Sequence, residues 1–417
     1  MTEESKTVRD YQPSRARRCW RVGVGAFVLI AVAGAAWMWR PWCGEEARLR
    51  GLDRVQLADY VSGHPRSALG HEYYAGALFN AGRLEESIGE FRRALALNPR
   101  SGTAQVGLGV ALHFSGDDES AEEALRSAVQ LDPSNGEAWF FLALAVAAEH
   151  PAEAREALQR CTKLSPDNAD GWHQLALMCI DLNYNEEAAR AAQQAVKLQP
   201  EQAGYYEALG EAQFRAGHIA ESLRSLKRAI ELEPKRAKAQ VLYGTVMLQS
   251  MKPDLKAAEE AVRAGVRLAG PSPQASVSLG RMAERRGDLA AARGHYEEAL
   301  RMEPRAEPAL FGLGSLLVKA GERKRGEALL AEFQRLADIE DELATAVARA
   351  QAKPEDLERQ LALARALRKA GDLRLAAERY DMALRLRDDA AVRQERAEVV
   401  RQLSKQAPRR GRGLEPR

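Results

Sequence analysis

The sequence predicts an all-α protein whose repeated helical hairpins stack into an elongated solenoid, and three observations support this fold class. Prolines recur at a spacing of 33 to 37 residues along most of the chain. Apolar residues make up 46% of the sequence but aromatic residues only 6%, a mixture typical of helices that pack through small side chains. The 417 residues exceed what one compact core holds, and a repeat array needs no such core.

Each recurring proline is predicted to lie just past a second helix, where it prevents that helix from continuing and can open the next one. Proline cannot continue a helix, because it lacks the amide hydrogen and its ring clashes with the preceding turn, but the first turn of a helix tolerates it. A regular period of about 34 residues indicates a helix–turn–helix repeat. The prolines of this series are Pro65, Pro99, Pro133, Pro166, Pro200, Pro234, Pro271 and Pro304.

Three further series run in step with these prolines and define the two helices of each hairpin. Small residues mark the middle of the first helices, where a neighbouring helix comes close; they are Ala75, Gly109, Ala143, Ala176, Gly210, Gly244, Gly280, Gly314 and Ala364. The second helices carry pairs spaced i, i+3 on one face; they are Phe91 and Ala94, Leu125 and Ala128, Leu158 and Cys161, Leu226 and Ala229, Tyr296 and Ala299, and Tyr380 and Ala383. The turns carry glycine or asparagine, which accept the left-handed conformation; they are Gly82, Gly116, Asn183, Gly217, Gly287, Gly321 and Gly371.

This pattern resembles that of the tetratricopeptide-repeat (TPR) family. The residues that reproduce the family signature most closely are Trp139, Leu142, Ala143, Trp172, Leu175, Ala176, Ala188, Ala195 and Pro200. The resemblance implies a right-handed TPR superhelical solenoid of about nine helical hairpins, whose first helices line a concave groove. It also implies that the chain binds other proteins.

The series divide the chain into seven predicted segments. The eighth hairpin loses the pattern after Gly326, so the residues that follow it are predicted to form an extra helix. In order, the segments are a basic cytoplasmic N-terminus (1–21), a transmembrane helix (22–39), a linker with a capping helix (40–66), hairpins one to eight (67–337), the extra helix (338–353), the ninth hairpin (354–388) and a basic C-terminal tail (389–417).

The segment from Val22 to Trp39 is predicted to anchor the chain in a membrane. Its eighteen residues carry no charge and would extend about 27 Å as a helix at 1.5 Å per residue, which just spans a bilayer core. Basic residues are more frequent before this segment than after it. This bias favours a single-pass protein of bacterial type, with a cytoplasmic N-terminus and the repeats on the periplasmic side. Cleavage after Ala35, as in a signal peptide, is the alternative interpretation.

The sequence contains no complete motif for catalysis, cofactor binding or metal binding. The seven histidines are scattered over different hairpins without the spacing of metal ligands. A net charge of +2 gives no reason to expect nucleic acid as a partner. We therefore expect no cofactor, no metal and no enzymatic activity. Cys161 and Cys179 occupy interior positions of consecutive hairpins and are expected to act as small hydrophobic residues, although a disulfide between them is an open alternative.

The family resemblance places certain first-helix residues on the concave groove, which we interpret as the partner-binding site. In the second to fourth hairpins these residues are Val106, Val110, His113, Phe114, Phe140, Leu144, His173, Leu177 and Ile180. The later hairpins contribute Phe214, Arg281, Arg285, Arg365 and Arg368. A partner segment is expected to place apolar side chains near Phe140 and acidic ones near Arg281. The competing interpretation is that the apolar residues pack between hairpins and the arginines form a solvated face.

The predicted function is a membrane-anchored scaffold that assembles envelope proteins, with a peptide or a folded partner in the groove. One alternative is a periplasmic assembly factor that holds unfolded substrate, similar to the TPR subunits that hold apocytochrome c during its maturation. Another alternative is an accessory or regulatory subunit of a membrane enzyme complex. A scaffold prefers folded partners, a holding factor prefers unfolded segments, and an accessory subunit co-purifies with a catalytic chain.

Overall fold

The computed structural model describes residues 44–406, which form twenty-one α-helices and no β-strand. The array opens with α1 (residues 44–49) and α2 (Arg54–Gly63). Nine helical hairpins follow, formed by α3 (Ala68–Asn80) and α4 (Leu84–Leu97), α5 (Gly102–Ser115) and α6 (Asp118–Leu131), α7 (Gly136–Val146) and α8 (Pro151–Leu164), α9 (Ala169–Asp181) and α10 (Asn185–Leu198), α11 (Ala203–Arg215) and α12 (Ile219–Leu232), α13 (Ala237–Met247) and α14 (Leu255–Ala269), α15 (Pro273–Arg285) and α16 (Leu289–Met302), α17 (Glu307–Lys319) and α18 (Arg323–Ala352), and α19 (Leu357–Ala370) and α20 (Leu373–Leu386). The last described helix is α21 (Ala390–Gln406). This architecture confirms the predicted all-α helical repeat array.

The chain forms two compact units that meet in sequence between Pro200 and Glu201. The first unit contains hairpins one to four, and the second contains hairpins five to nine together with α21. The candidate surfaces described below each lie within one of these units.

Local polar groups fix where the helices begin and end. Ser67 Oγ accepts a hydrogen bond from the Gly70 amide at 2.8 Å, and Ser101 Oγ accepts one from the Ala104 amide at 3.1 Å. Such caps satisfy backbone amides that have no partner within the helix. The predicted turn residues are confirmed, because all of them have a positive φ, from 61° at Asn183 to 95° at Gly371.

Large second-helix side chains press against the first-helix glycines. In the second unit, Tyr296 of α16 is only 1% exposed, and its ring touches both Gly280 of α15 and Gly312 of α17. A Cβ atom would lie 2.7 Å from the ring at position 280 and 2.6 Å from it at position 312. The Tyr296 hydroxyl donates a hydrogen bond to Glu284 Oε2 at 3.1 Å. Glycine is needed at both positions because this interior has no room for a side chain.

The eighth hairpin differs from its prediction. A separate helix is expected at 338–353, but the second helix of this hairpin, α18, runs without interruption over 30 residues. The prediction is wrong because no proline or glycine stands between Gly326 and Pro354, so nothing stops the helix once it has begun.

Within the segment 389–417, which was predicted as a basic tail, residues 390–406 form a helix. This helix, α21, buries Val392 and Val399, which are 3% and 0% exposed, in a cluster that contains Tyr380 of the ninth hairpin. The two valines are seven residues apart and therefore share one helical face. The prediction followed the excess of positive charge and overlooked this apolar face. Residues 407–417 lie outside the described residues.

The start of the array contains two helices where one capping helix was expected. Asp53 and Gln56 form a reciprocal capping box at the start of α2. Asp53 Oδ1 accepts a hydrogen bond from the Gln56 amide at 2.9 Å, and the Asp53 amide donates one to Gln56 Oε1 at 3.0 Å. A box of this kind begins a new helix, which explains why α1 and α2 are separate.

The predicted membrane anchor falls on a part of the chain that the structure does not describe. Residues 22–39 lie outside the described range, as do residues 1–21 before them. Within residues 44–406, no helix combines the length and the apolar character that crossing a membrane requires.

Candidate partner-binding surfaces

The first unit exposes aromatic and aliphatic side chains on its first helices. Phe114 at the end of α5 is 43% exposed, and Phe140, Leu144 and Leu177 are partly exposed on α7 and α9. The Phe114 ring packs edge to face against Phe79, with 5.5 Å between the ring centroids. Phe114, Phe140, Leu144 and Leu177 are called the apolar face below.

Three residues predicted for this groove do not reach its surface. Val106 and Val110 of α5 are 3% and 1% exposed, and Ile180 of α9 is 3% exposed. They are covered by neighbouring side chains and stabilise the packing of the hairpins, so they offer nothing to a partner. For these three residues the competing interpretation, packing between hairpins, is the correct one.

The two predicted groove histidines are partly buried. His113 Nδ1 lies 2.6 Å from Asp118 Oδ1, at the turn between α5 and α6. This contact ties the imidazole ring to the hairpin, and the ring also packs edge to face against Phe114, with the centroids 5.7 Å apart. His113 therefore helps to position the most exposed ring of the apolar face. His173 lies on α9 and is partly buried.

Carboxyl groups accompany the apolar face, and the sequence interpretation overlooked them. Glu137 precedes Phe140 by three residues and Leu144 by seven on α7, so all three lie on one side of the helix. Burial raises the pKa of the Glu137 carboxyl group, and no cationic side chain within residues 44–406 is paired with it. Burial also raises the pKa of Glu72 on α3, which accepts a hydrogen bond from Ser101 Oγ at 2.9 Å. A desolvated carboxylate favours a cation from outside the chain.

The fifth and sixth hairpins carry an ion-pair cluster. Glu207 and Glu211 on α11 are 7% and 8% exposed. Arg236 Nε lies 2.8 Å from a carboxylate oxygen of Glu207, and Lys238 Nζ lies 2.9 Å from one of Glu211. Phe214, predicted as a groove residue, packs against a buried cluster of α12 and α13 side chains. This part of the first-helix face is therefore filled by the chain itself.

The predicted basic end of the groove is largely neutralised. Arg365 and Arg368 of α19 form ion pairs with Glu395 and Glu398 of α21, with N to O distances of 2.7 and 2.9 Å. These partners are about 30 residues away in sequence and belong to the segment that was predicted to be a tail. The arginines therefore hold α21 in place, which corrects their predicted role as a free basic surface.

The two arginines of the seventh hairpin differ from each other. Arg285 donates a hydrogen bond from Nη1 to the Leu248 carbonyl oxygen at 2.7 Å, so it links α15 to the end of α13. Arg281 is exposed on α15 and no carboxylate within residues 44–406 forms an ion pair with it. Of the four predicted arginines, Arg281 is the one that the structure leaves available to a partner.

Both described cysteines are buried free thiols, and no disulfide joins them. Burial raises the pKa of the Cys161 thiol to about 11 and that of the Cys179 thiol to about 12. At neutral pH both therefore stay protonated, and a protonated thiol is a poor nucleophile and metal ligand. Within residues 44–406 no three metal-ligating side chains come together.

Comparison with known proteins supports the repeat assignment. The family model described as tetratricopeptide repeat matches the chain in overlapping stretches, at residues 54–102, 75–136, 115–169, 144–203, 180–237, 207–273, 254–308 and 277–339. A curated relative, cellulose synthase operon protein C of Komagataeibacter xylinus, is 37% identical over 87 residues, which is 21% of this chain. The match spans only 7% of the length of that protein.

Solved structures with similar helical repeats cover parts of the chain. YrrB, described as a TPR protein with an unusual peptide-binding site, is 20% identical over 44% of this chain and 95% of its own, with a TM-score of 0.40. PilF of Pseudomonas aeruginosa is 19% identical over 51% of this chain and 97% of its own, with a TM-score of 0.43. A TPR protein of Parabacteroides merdae is 14% identical over 60% of this chain and 99% of its own, with a TM-score of 0.45.

Proposed function

The chain belongs to the tetratricopeptide-repeat family, and from that premise we propose that it is a non-catalytic scaffold which binds a segment of another protein. The binding surface is the apolar face of the first unit, extended by Glu137. The observation that carries this proposal is the combination of exposed apolar side chains with a desolvated carboxyl group that has no cation beside it within residues 44–406. Exposed apolar surface of this kind normally marks an interaction site.

The chemistry of the surface specifies the kind of segment that fits it. Apolar side chains of the partner would cover Phe114, Phe140 and the two leucines. A lysine or arginine of the partner would pair with Glu137, and hydrogen bonds to charged groups contribute about 1.5 to 3 kcal/mol each. An apolar segment that carries a positive charge is therefore favoured over an acidic one.

We predict that replacing Phe140 and Leu144 together with glutamate abolishes partner binding. Two carboxylates on the apolar face would lose their hydration when a partner binds. The free energy of this desolvation exceeds the free energy that the apolar contact contributes. Crosslinking in cells followed by mass spectrometry measures which proteins the wild type and the variant contact. Both replaced residues are already partly exposed, so the helical content and the thermal midpoint should change little.

Leu164→Glu provides the matched control. This leucine is 42% exposed at the end of the second helix α8, whereas the apolar face lies on the first helices, and its replacement adds the same kind of charge. We expect it to retain the partners of the wild type. Partners that survive the double replacement, or that are lost equally in Leu164→Glu, would contradict the assignment of the surface.

We further propose that residues 22–39 anchor the scaffold in the membrane, with the repeats on the periplasmic side, where they assemble envelope proteins. The uncharged stretch and the basic residues before it support this topology. We predict that protease added to intact spheroplasts degrades the repeats of the membrane-bound chain, because they lie outside the cytoplasm. Repeats that resist protease until the membrane is broken would contradict the topology, and repeats released in soluble form would indicate a cleaved signal peptide.

A further inference from the structure

One position on the second helices distinguishes the eighth hairpin from all other described hairpins. In the others this position holds a small, buried residue. These residues are Ala94, Ala128, Cys161, Ala195, Ala229, Gly265, Ala299 and Ala383. In the eighth hairpin the residue is Phe333, which is partly exposed. A phenylalanine ring keeps a following helix from approaching as closely as alanine allows.

The helix that would cover the eighth hairpin is displaced. In the second unit α11 packs on α13, α13 on α15 and α15 on α17, but no comparable packing joins α17 to α19 within residues 44–406. The first helix of the ninth hairpin packs instead on the far end of α18, where Ala346 and Ala350 are buried. The insertion that lengthens α18 therefore opens the stack after the eighth hairpin.

Phe311 shows the consequence of this opening. It is 53% exposed, whereas the residues at the same position of the three preceding hairpins, Glu207, Val241 and Val277, are 7 to 8% exposed. The Phe311 ring lies against that of Phe333, with 5.4 Å between the centroids. We name the surface formed by Phe311, Phe333, Glu307, Glu340 and Lys319 the open notch.

The charges around the aromatic pair are arranged with opposite signs along α17. Glu307 begins this helix and lies near Glu340 of α18; burial and this second carboxylate raise the pKa of Glu307. Lys319 ends the helix and lies 3.4 Å from Glu284. A helix aligned with α17 would bring the positive end of its dipole to the two carboxylates and its negative end toward the lysine.

We propose that the open notch docks an α-helix of another protein, whose apolar face covers Phe311 and Phe333 and whose first turns carry a lysine or arginine opposite Glu307 and Glu340. The occupant is a helix because a first helix fills this place in the neighbouring hairpins. A second copy of the chain is a poorer fit. One half-exposed and one partly exposed ring offer roughly 200 Å² of apolar surface, which suits a weakly bound single helix and falls short of the roughly 800 Å² per partner that a stable dimer buries.

A labelled peptide with the sequence of α21 is a suitable probe. In this chain α21 already covers the exposed side of a hairpin, and it carries Arg393 in its first turns. Fluorescence anisotropy of the peptide, titrated with the full-length protein, should show saturable binding. Phe311→Ser should weaken this binding at least about tenfold, since central aromatic residues contribute most of the affinity of such contacts. Phe311→Leu keeps an apolar side chain and should retain most of the binding.

Phe114→Ser is the matched control, because it removes a comparably exposed phenylalanine from the first unit. It should leave peptide binding unchanged. The two variants therefore distinguish binding at the open notch from binding at the apolar face. Absence of saturable binding, or binding that Phe311→Ser leaves intact while its thermal midpoint matches the wild type, would overturn the proposal. A dimer in sedimentation experiments that Phe311→Ser dissociates would also overturn it, since the notch would then belong to a second copy.

Discussion

Replacing Tyr296 with alanine is expected to destabilise the second unit by about 3 to 5 kcal/mol, as removal of a large buried aromatic side chain does. The ring fills the space between Gly280 and Gly312 and is only 1% exposed. Neither glycine has a side chain that could move into the space, so the cavity would stay open. Urea denaturation of the full chain, followed by far-ultraviolet circular dichroism, measures the free energy of unfolding.

Tyr296→Phe separates the contribution of the ring from that of the hydroxyl. It keeps the packing and removes only the hydrogen bond to Glu284, which spans 3.1 Å. We expect this variant to lose about 1 kcal/mol. If Tyr296→Ala and Tyr296→Phe destabilised the protein equally, the hydroxyl group would be the stabilising group and the packing of the ring would contribute nothing.

Replacing Gly244 with alanine is expected to destabilise the sixth hairpin by about 3 kcal/mol, at the upper end of the usual cost of overpacking. A Cβ atom there would overlap the Ala258 carbonyl oxygen and lie 2.6 Å from Val262 Cγ2. A backbone carbonyl cannot rotate away as the end of a flexible side chain can, so α13 and α14 would have to separate. The shift of the denaturation midpoint in urea measures the loss of unfolding free energy.

Gly294→Ala is the control for this substitution. Gly294 also lies within a helix of the second unit, but a Cβ atom added there would have no neighbour within 4 Å among the described residues. Alanine there should stabilise the helix by up to about 1 kcal/mol, because glycine is the poorer helix former. A similar loss of stability in both variants would mean that the contact between α13 and α14 does not govern the effect at Gly244.

The hairpins could be predicted from sequence because their signals are local. A proline or a glycine ends a helix through its own backbone geometry, so the positive φ of Gly371 and Asn183 follows from the residue type and its place between two predicted helices. The uninterrupted length of α18 was not predicted, because it results from the absence of such residues and not from a positive signal in the sequence. Helix α21 was missed because the two buried valines stand among charged residues and only their contact with the ninth hairpin gives them a role.

The candidate site was harder to predict because exposure depends on the neighbours. Val110 and Leu144 are both aliphatic residues at the same position of consecutive hairpins, yet the first is buried and the second is partly exposed. Whether a charged side chain is free to bind a partner is equally hard to predict from sequence. Arg365, for example, forms an ion pair with Glu395, which lies 30 residues later in the chain. The sequence could suggest which helices carry the surface, but the packing of each hairpin decides which side chains reach it.

Helix α21 also covers the last described hairpin of the array. It begins at residue 390, 33 residues after α19 begins at 357, so it stands where the first helix of a tenth hairpin would stand. Without it, the ninth hairpin would present the apolar surface around Tyr380 to solvent, and the start of another chain could stack there. Head-to-tail contacts of that kind grow into fibres when the rotation between successive chains does not close a ring. By covering this surface with a helix whose exposed residues include Arg393, Glu398, Arg401 and Lys405, the chain disfavours stacking of that kind on the ninth hairpin.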